Sequence, residues 1–306
     1  MRTIAILFTL FAAGLALPAR AQEPEAARRE LLRRINEERA TKGSPLLRLV
    51  DPLNDAAQQH AEEISRLGTL RLANGSEEVT NERLRKLGYD AHAWTESVTA
   101  AAGDLASVLR DWKAQDKDTH KSLMDDDYRD LGIGIAKLRG TPLYVFLFAV
   151  PEAEFFARAT ASLRDPARVR ALILEKANAV RRKAGVPPLR ASSQLDRAAQ
   201  KHAEDMLARG FFAHESPDGK TVRERAREAG YDWRAIGENI AEGQFTVDEV
   251  MDSWMKSPDH RRNLLDRGFT ELGVGLAMGK GKNSERRVLW DQSFGAPDAP
   301  NAPKKK

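Results

Sequence analysis

Among its 306 residues the chain has no cysteine. Thiol nucleophiles, disulfide bridges and cysteine-ligated metals are thereby excluded. Domains of ordinary size bury enough apolar surface to stand without such staples. Charge of one sign is also scarce as a block. The 49 basic and 45 acidic residues are interspersed and leave a net charge of only +4, so no nucleic-acid partner is expected. Past the first 21 residues no apolar run is long enough to span a bilayer. Neither an HExxH helix nor a G-x-S-x-G elbow occurs.

The one long apolar run lies at the start. Arg2 provides a basic lead, Ile4 to Leu17 is almost unbroken hydrophobic sequence, Pro18 breaks it, and Ala19-Arg20-Ala21 fits a small-x-small cleavage site. Residues 1–21 are therefore expected to be a signal peptide, the mature chain to begin near Gln22, and the protein to be secreted or periplasmic with no transmembrane segment after cleavage.

The remainder repeats itself. The segment from Asn36 to Leu70 aligns without a gap to that from Asn178 to Phe212, with identities at Gly43/Gly185, Pro45/Pro187, Leu53/Leu195, His60/His202 and Gly68/Gly210. The same offset carries through Tyr89/Tyr231, Glu96/Glu238 and Trp112/Trp254, and LGIGIA then matches LGVGLA. Two domains are expected, at 28–150 and 168–296, joined by a linker at 151–167 and followed by a disordered tail at 297–306 that ends in Lys304-Lys305-Lys306.

The second copy states its elements most clearly. Val169 to Ala184 reads as a helix stopped at Gly185, and Ser193 is a candidate cap for a second helix closed by Gly210. Short helices are expected over Val222 to Ala229, from the capping box at Thr246 through Trp254, and after Ser257-Pro258. Two strand-like runs, Leu272 to Met278 and Arg287 to Phe294, close the copy. Helices precede strands, which argues for an α+β fold with helices packed on an antiparallel sheet.

Three polar residues of this copy are candidates for chemistry. His214 lies in a loop after a helix, Glu238 in a Gly-Glu-Asn triplet, and His260 in the first turn of the helix opened by Ser257-Pro258. Two imidazoles and a carboxylate make a ligand set for Zn²⁺ with positions left for water, and a helix N-terminus favours the neutral imidazole a metal needs. The competing reading is three ordinary polar residues, because the long spacings do not bring them together by themselves. His60 and His202 sit on apolar helix faces and read as core, as do Trp112, Trp254 and Trp290.

The strings FFAHESPDG, GENIAEG, SWMKSPDHRRNLL and ELGVGLA, in that order, resemble the CAP superfamily of cysteine-rich secretory, antigen 5 and pathogenesis-related proteins, in its bacterial branch. The resemblance covers the whole second copy and, more weakly, the first. It implies two tandem α/β/α sandwiches with a central cleft. His214 and His260 then match the two cleft histidines and Glu238 the acid of the GEN motif. Asn239 is expected to hydrogen-bond the backbone around the cleft. Ser257 stands where many animal and plant members carry a second acid. In the first copy Leu72 replaces the loop histidine, Thr95 and Ser97 flank Glu96, and His120 falls near the position of His260. That copy reads as degenerate. The function implied is a binding module for a small molecule, lipid, peptide or envelope component, with a possible zinc in the cleft. The alternative is a metal-dependent hydrolase with Glu238 as its catalytic base.

Overall fold

The computed structural model describes residues 24–69, 77–100, 110 and 117–298. The expected leader, Leu72, Trp112 and the terminal lysines lie outside the described residues. The chain divides into two compact units, Met1–Phe155 and Phe156–Lys306.

The first unit runs α1 (Pro24–Thr41), β1 (Arg48–Leu49), α2 (Asp51–Leu67), α3 (Glu77–Lys86), β2 (Ala91–Ala100), α4 (Lys117–Leu123), β3 (Asp130–Leu138) and β4 (Thr141–Pro151). Next come α5 (Glu152–Ala159) and a 3-10 turn (Ala161–Leu163). The second unit repeats the order as α6 (Pro166–Lys183), β5 (Arg190–Ala191), α7 (Ser193–Arg209), α8 (Val222–Glu228), β6 (Trp233–Glu242), α9 (Val247–Lys256), α10 (Pro258–Leu265), β7 (Glu271–Lys280) and β8 (Arg286–Pro297). The two sheets have the same topology, β1-β3-β4-β2 and β5-β7-β8-β6. In each, three antiparallel strands carry one two-residue strand paired in parallel.

Side-chain alternation along β8 makes the second unit three-layered. Val288, Trp290 and Phe294 join Ile173 of α6, Trp254 of α9 and Leu264 of α10 in one core. Leu289 turns to the other face and meets Met206 of α7 and Ile240 of β6. Trp254 and Trp290 are fully buried, as their sequence context predicts.

Local sequence explains the element ends. The cap of α7 is Ser192, one residue before the expected Ser193, and its side chain accepts from the Leu195 N–H. Gly210 closes that helix at a φ of 71°, a left-handed conformation that favours glycine. Thr246 caps α9 by accepting from Glu249. The long strand Trp233–Glu242, ten residues, escaped the sequence reading. Its central Gly237-Glu238-Asn239 breaks the apolar alternation by which strands are recognised.

The Leu-Gly-x-Gly motif of each copy lets a helix lie directly on the sheet. A Cβ on Gly273 would stand 2.1 Å from the Leu195 carbonyl carbon, and one on Gly275 2.2 Å from that of Ala199, both in the α7 backbone. Gly132 and Gly134 meet α2 at Leu53 and Ala57 in the same way. Gln200 and Asp196 complete the seam by accepting from the backbone N–H groups of Leu276 and Val274.

The stretch expected to be a linker, 151–167, is structured instead. Phe156 of α5 and Leu163 of the 3-10 turn are buried in the second unit's core, and Phe156 packs edge-on against Phe245 at 6.1 Å. Their apolar side chains find a core to fill, which a solvated linker would leave exposed. At the other end Pro297 closes β8 rather than opening a tail.

Two outcomes follow from this packing. Gly275→Ala drives a methyl into helix backbone that cannot rotate aside, so the second unit should lose about 3 kcal/mol, or roughly 10 °C in melting temperature; calorimetry of the full chain reads it. A fragment starting at Glu152 should unfold cooperatively, and one starting at Pro166 should melt well below it, because it lacks two core side chains worth about 2–5 kcal/mol each. Equal melting of the two fragments would show that α5 adds nothing to this core.

Candidate functional site

The acid at the centre of the site sits on an outer strand. Glu238 pairs across β6 and β8 with Ser293, and its side chain faces α7 together with Asp291. Its neighbour Asn239 points through the sheet to the other face. There Asn239 donates to the carbonyl of His260 and to Gln292, and accepts from Asn263, at 2.9–3.1 Å. Asn239 thus ties the strand to the α10 backbone at His260.

Both oxygens of Glu238 are engaged. Oε2 lies 2.8 Å from His214 Nδ1, and Oε1 accepts from the Arg225 guanidinium at 2.5 Å. His214 is presented by the loop that leaves α7, and its side chain is 58% exposed against 3% for that of Glu238. The loop is closed by Ser216, whose N–H and hydroxyl both donate to the Lys220 carbonyl. Burial pushes the Glu238 carboxyl up, but the contacts with His214, Arg225 and His202 outweigh it and hold the group below the usual carboxylate range.

His260 is the third residue of α10, behind Pro258. Its Nδ1 is buried and lacks a hydrogen-bond partner among the described residues. Burial lowers its proton affinity, the charge of His214 lowers it further, and Asp259 opposes both. Two of the three predicted residues, His214 and Glu238, are in direct contact, and His260 feels the charge of His214. Ser257, at the junction of α9 and α10, makes no side-chain cap bond.

The sequence reading missed the residues beneath this surface. His202 is fully buried, with Nε2 3.0 Å from the Ala213 carbonyl and 3.9 Å from Glu238 Oε2. Its burial agrees with the core role expected of it, yet it also backs the site acid. Asp291 is fully buried too, accepts from Ser293 at 2.8 Å, and lies beside Glu238. His202, Glu238 and Asp291 offer ligand atoms within 4.8 Å of one another. The Arg225 cation already neutralises Glu238, and burial beside that carboxylate raises the Asp291 carboxyl well above its usual range. The Arg225 cation thus offsets the Glu238 charge, while burial and that charge both disfavour ionised Asp291. In sequence, Asp291 was hidden inside a strand and Arg225 among the many arginines of α8.

The first unit distributes equivalent groups differently. His60 Nδ1 lies 3.0 Å from Glu96 Oε1, both buried. His120 Nε2 lies 2.9 Å from Glu38 Oε1. Val145 occupies the place of Asp291 in the strand register.

The match to a family model agrees with the repeat. The model of the Cysteine-rich secretory protein family, CAP, matches residues 32–149 and 174–292. The chain belongs to that family and carries two copies of its domain. Among curated relatives, the uncharacterized protein YkwD of Bacillus subtilis (strain 168) is 35% identical over 122 residues, 40% of this chain and 45% of that protein. The uncharacterized membrane protein YlbC of the same organism is 33% identical over 104 residues, 34% of this chain and 30% of that protein. The matched region thus spans less than half the length of either. Among solved structures, an extracellular protein containing a SCP domain from Bacillus anthracis str. Ames is 21% identical, with a TM-score of 0.40 over 53% of this chain and 59% of that one. The structure titled Na-ASP-1 is 11% identical, with a TM-score of 0.36 over 90% of each chain.

The buried histidine sets a pH dependence. Burial depresses the folded-state proton affinity of His202. Below about pH 6.5 the unfolded chain therefore takes up a proton that the folded one refuses, and stability falls as pH falls. Asp291, shifted upward, acts in the opposite sense: acidification relieves its cost. His202→Gln should therefore flatten the loss of melting temperature between about pH 7.5 and 5.5 relative to wild type. Parallel pH profiles of the two proteins would refute the assignment.

Proposed function

We propose that the second unit is a binding module whose cleft holds a divalent transition ion, zinc by expectation, between His214 and His260, and presents it to an extracytoplasmic ligand. The ligand classes that suit such a cleft are a lipid, a peptide or another envelope component. One observation carries the reading. Glu238 engages His214 at Nδ1 while Arg225 engages Glu238, so the exposed His214 keeps Nε2 as its free nitrogen. A carboxylate behind an imidazole is the usual support of a metal-binding histidine: it fixes the tautomer and raises the basicity of the ring. The unpartnered Nδ1 of His260 and its depressed proton affinity suit the same ion, since a metal binds the neutral imidazole. Glu238 then acts as an orienting group rather than a ligand. When bound, the ion supplies a Lewis-acid centre for an oxygen of the ligand.

Binding is favoured over hydrolysis by the state of Glu238. A general base must be free to take a proton from water, and this carboxylate is buried with both oxygens occupied. Export follows from the leader-like residues 1–21. No helix among the described residues is long and apolar enough to cross a membrane. In the first unit Leu72 stands at the sequence position of His214, and His120 is paired with Glu38, so that unit is assigned no ion.

Zinc titration of the full chain by calorimetry tests the reading. About one equivalent should bind. His214→Ala and His260→Ala should each lower affinity by well over tenfold, and Glu238→Gln by roughly tenfold, because it loosens a ligand rather than removing one. Unaltered affinity in both histidine variants, or no binding by wild type, would overturn the assignment.

A further inference from the structure

We propose that Arg225 is a positioning residue of this cleft: its guanidinium locks the His214 loop to Glu238 and so fixes the orientation of the His214 ring. The metal role of that ring rests on the function proposed above; the locking itself does not.

The geometry is that of a clamp. Arg225 Nη1 donates to the Lys220 carbonyl at 2.7 Å, and Nη2 donates to the His214 carbonyl at 3.1 Å and to Glu238 Oε1 at 2.5 Å. One planar cation therefore holds both ends of the loop from His214 to Lys220 and the acid that binds the loop's histidine. Its side chain is 5% exposed, so water does not substitute for these partners. Only a guanidinium presents donors in the fork that spans three acceptors; an ammonium is a single point charge. Helix α8 aims it. The Thr221–Glu224 capping box starts the helix directly after Lys220, and Arg225 and Ala226 form its buried side. Arg223 and Arg227 lie outside, over the Trp233 ring at 5.7 and 5.4 Å.

The first unit provides an internal contrast. By the constant offset of the repeat, Arg83 stands where Arg225 does, yet it lies 3.6 Å from Glu63, and Glu96 is paired with His60. The position of Glu63 is Asp205 in the second unit, where Arg209 pairs with it. The position of Arg209 is Leu67 in the first unit. Arg209 thus occupies the carboxylate at the position where Glu63 meets Arg83, and the Arg225 guanidinium is bound to Glu238. The same arginine pairs with a helix carboxylate in one copy and with the site acid in the other, and the two copies differ beside it at Leu67/Arg209.

The test uses the full chain, first metal-free and then with zinc alone. Nitrogen NMR of the His214 ring at pH 8 should show a fixed Nδ1–H tautomer in wild type. Arg225→Met should average the tautomers, speed amide exchange across residues 214–220, and lower zinc affinity about tenfold or more. Arg225→Lys keeps the charge without the fork and should move the same readouts in the same direction by a smaller amount. It decides the matter if Arg225→Met does not fold. Arg209→Leu, at an exposed position, should shift the His214 ring toward averaging by freeing Asp205 to draw Arg225 away. A lower melting temperature with an unchanged His214 tautomer and unchanged zinc affinity in the arginine variants would make Arg225 a merely structural residue and overturn the proposal. If wild type binds no zinc, the metal reading fails, while the metal-free tautomer still decides the clamp.

Discussion

The second unit depends on the absence of side chains at Gly273 and Gly275. Because no Cβ intervenes, the backbone of α7 rests on β7, which is closer than packing between ordinary side chains allows. That approach delivers His202 to the back of Glu238. It also fixes where α7 ends, and so where the loop with His214 departs. The first unit keeps the same contact through Gly132 and Gly134. The repeat has therefore conserved its scaffold while the polar groups mounted on it diverged.

A second tie holds the opposite layer. Arg181 is fully buried and donates to the carbonyls of Pro187, Leu264, Asp266 and Phe269. It thereby fastens α6 to the turn that leaves α10, the helix of His260. Arg39 occupies the equivalent place and bonds the carbonyls of Pro45, Leu123 and Asp125. A cation fully hydrogen-bonded to carbonyl oxygens satisfies several otherwise orphaned acceptors at once, where an uncapped helix end would leave them bare. Between them, the glycine seam and the buried arginine set the two layers from which His214 and His260 are presented.

Much of this was legible in the sequence. The repeat, the helix ends at Gly185 and Gly210, the Thr246 cap and the closing hairpin all follow from local rules that depend on neighbours in the chain. The strand bearing Glu238 did not, because its polar centre is justified only by partners remote in sequence: Ser293, Asn263 and Arg225. The same reason hid Asp291 and the clamp. Arg225 is one of several arginines on a short helix, and nothing local separates it from Arg223 or Arg227, which lie outside over an indole. Phe156 and Leu163 were misjudged because a segment between two prolines looks like a connector until a core is present to receive it.

The position of Glu238 on β6 has one further consequence. As the last strand in the order β5-β7-β8-β6, β6 has one flank with no strand partner in its sheet, the kind of open template on which foreign peptide segments add themselves. At Glu238 that template is blocked, since Asn263 of α10 donates its amide to the Glu238 carbonyl at 3.1 Å. The helix that carries His260 thus also guards the sheet against intermolecular pairing. Loosening α10 would disturb the cleft and, in the same motion, uncover an aggregation-competent edge.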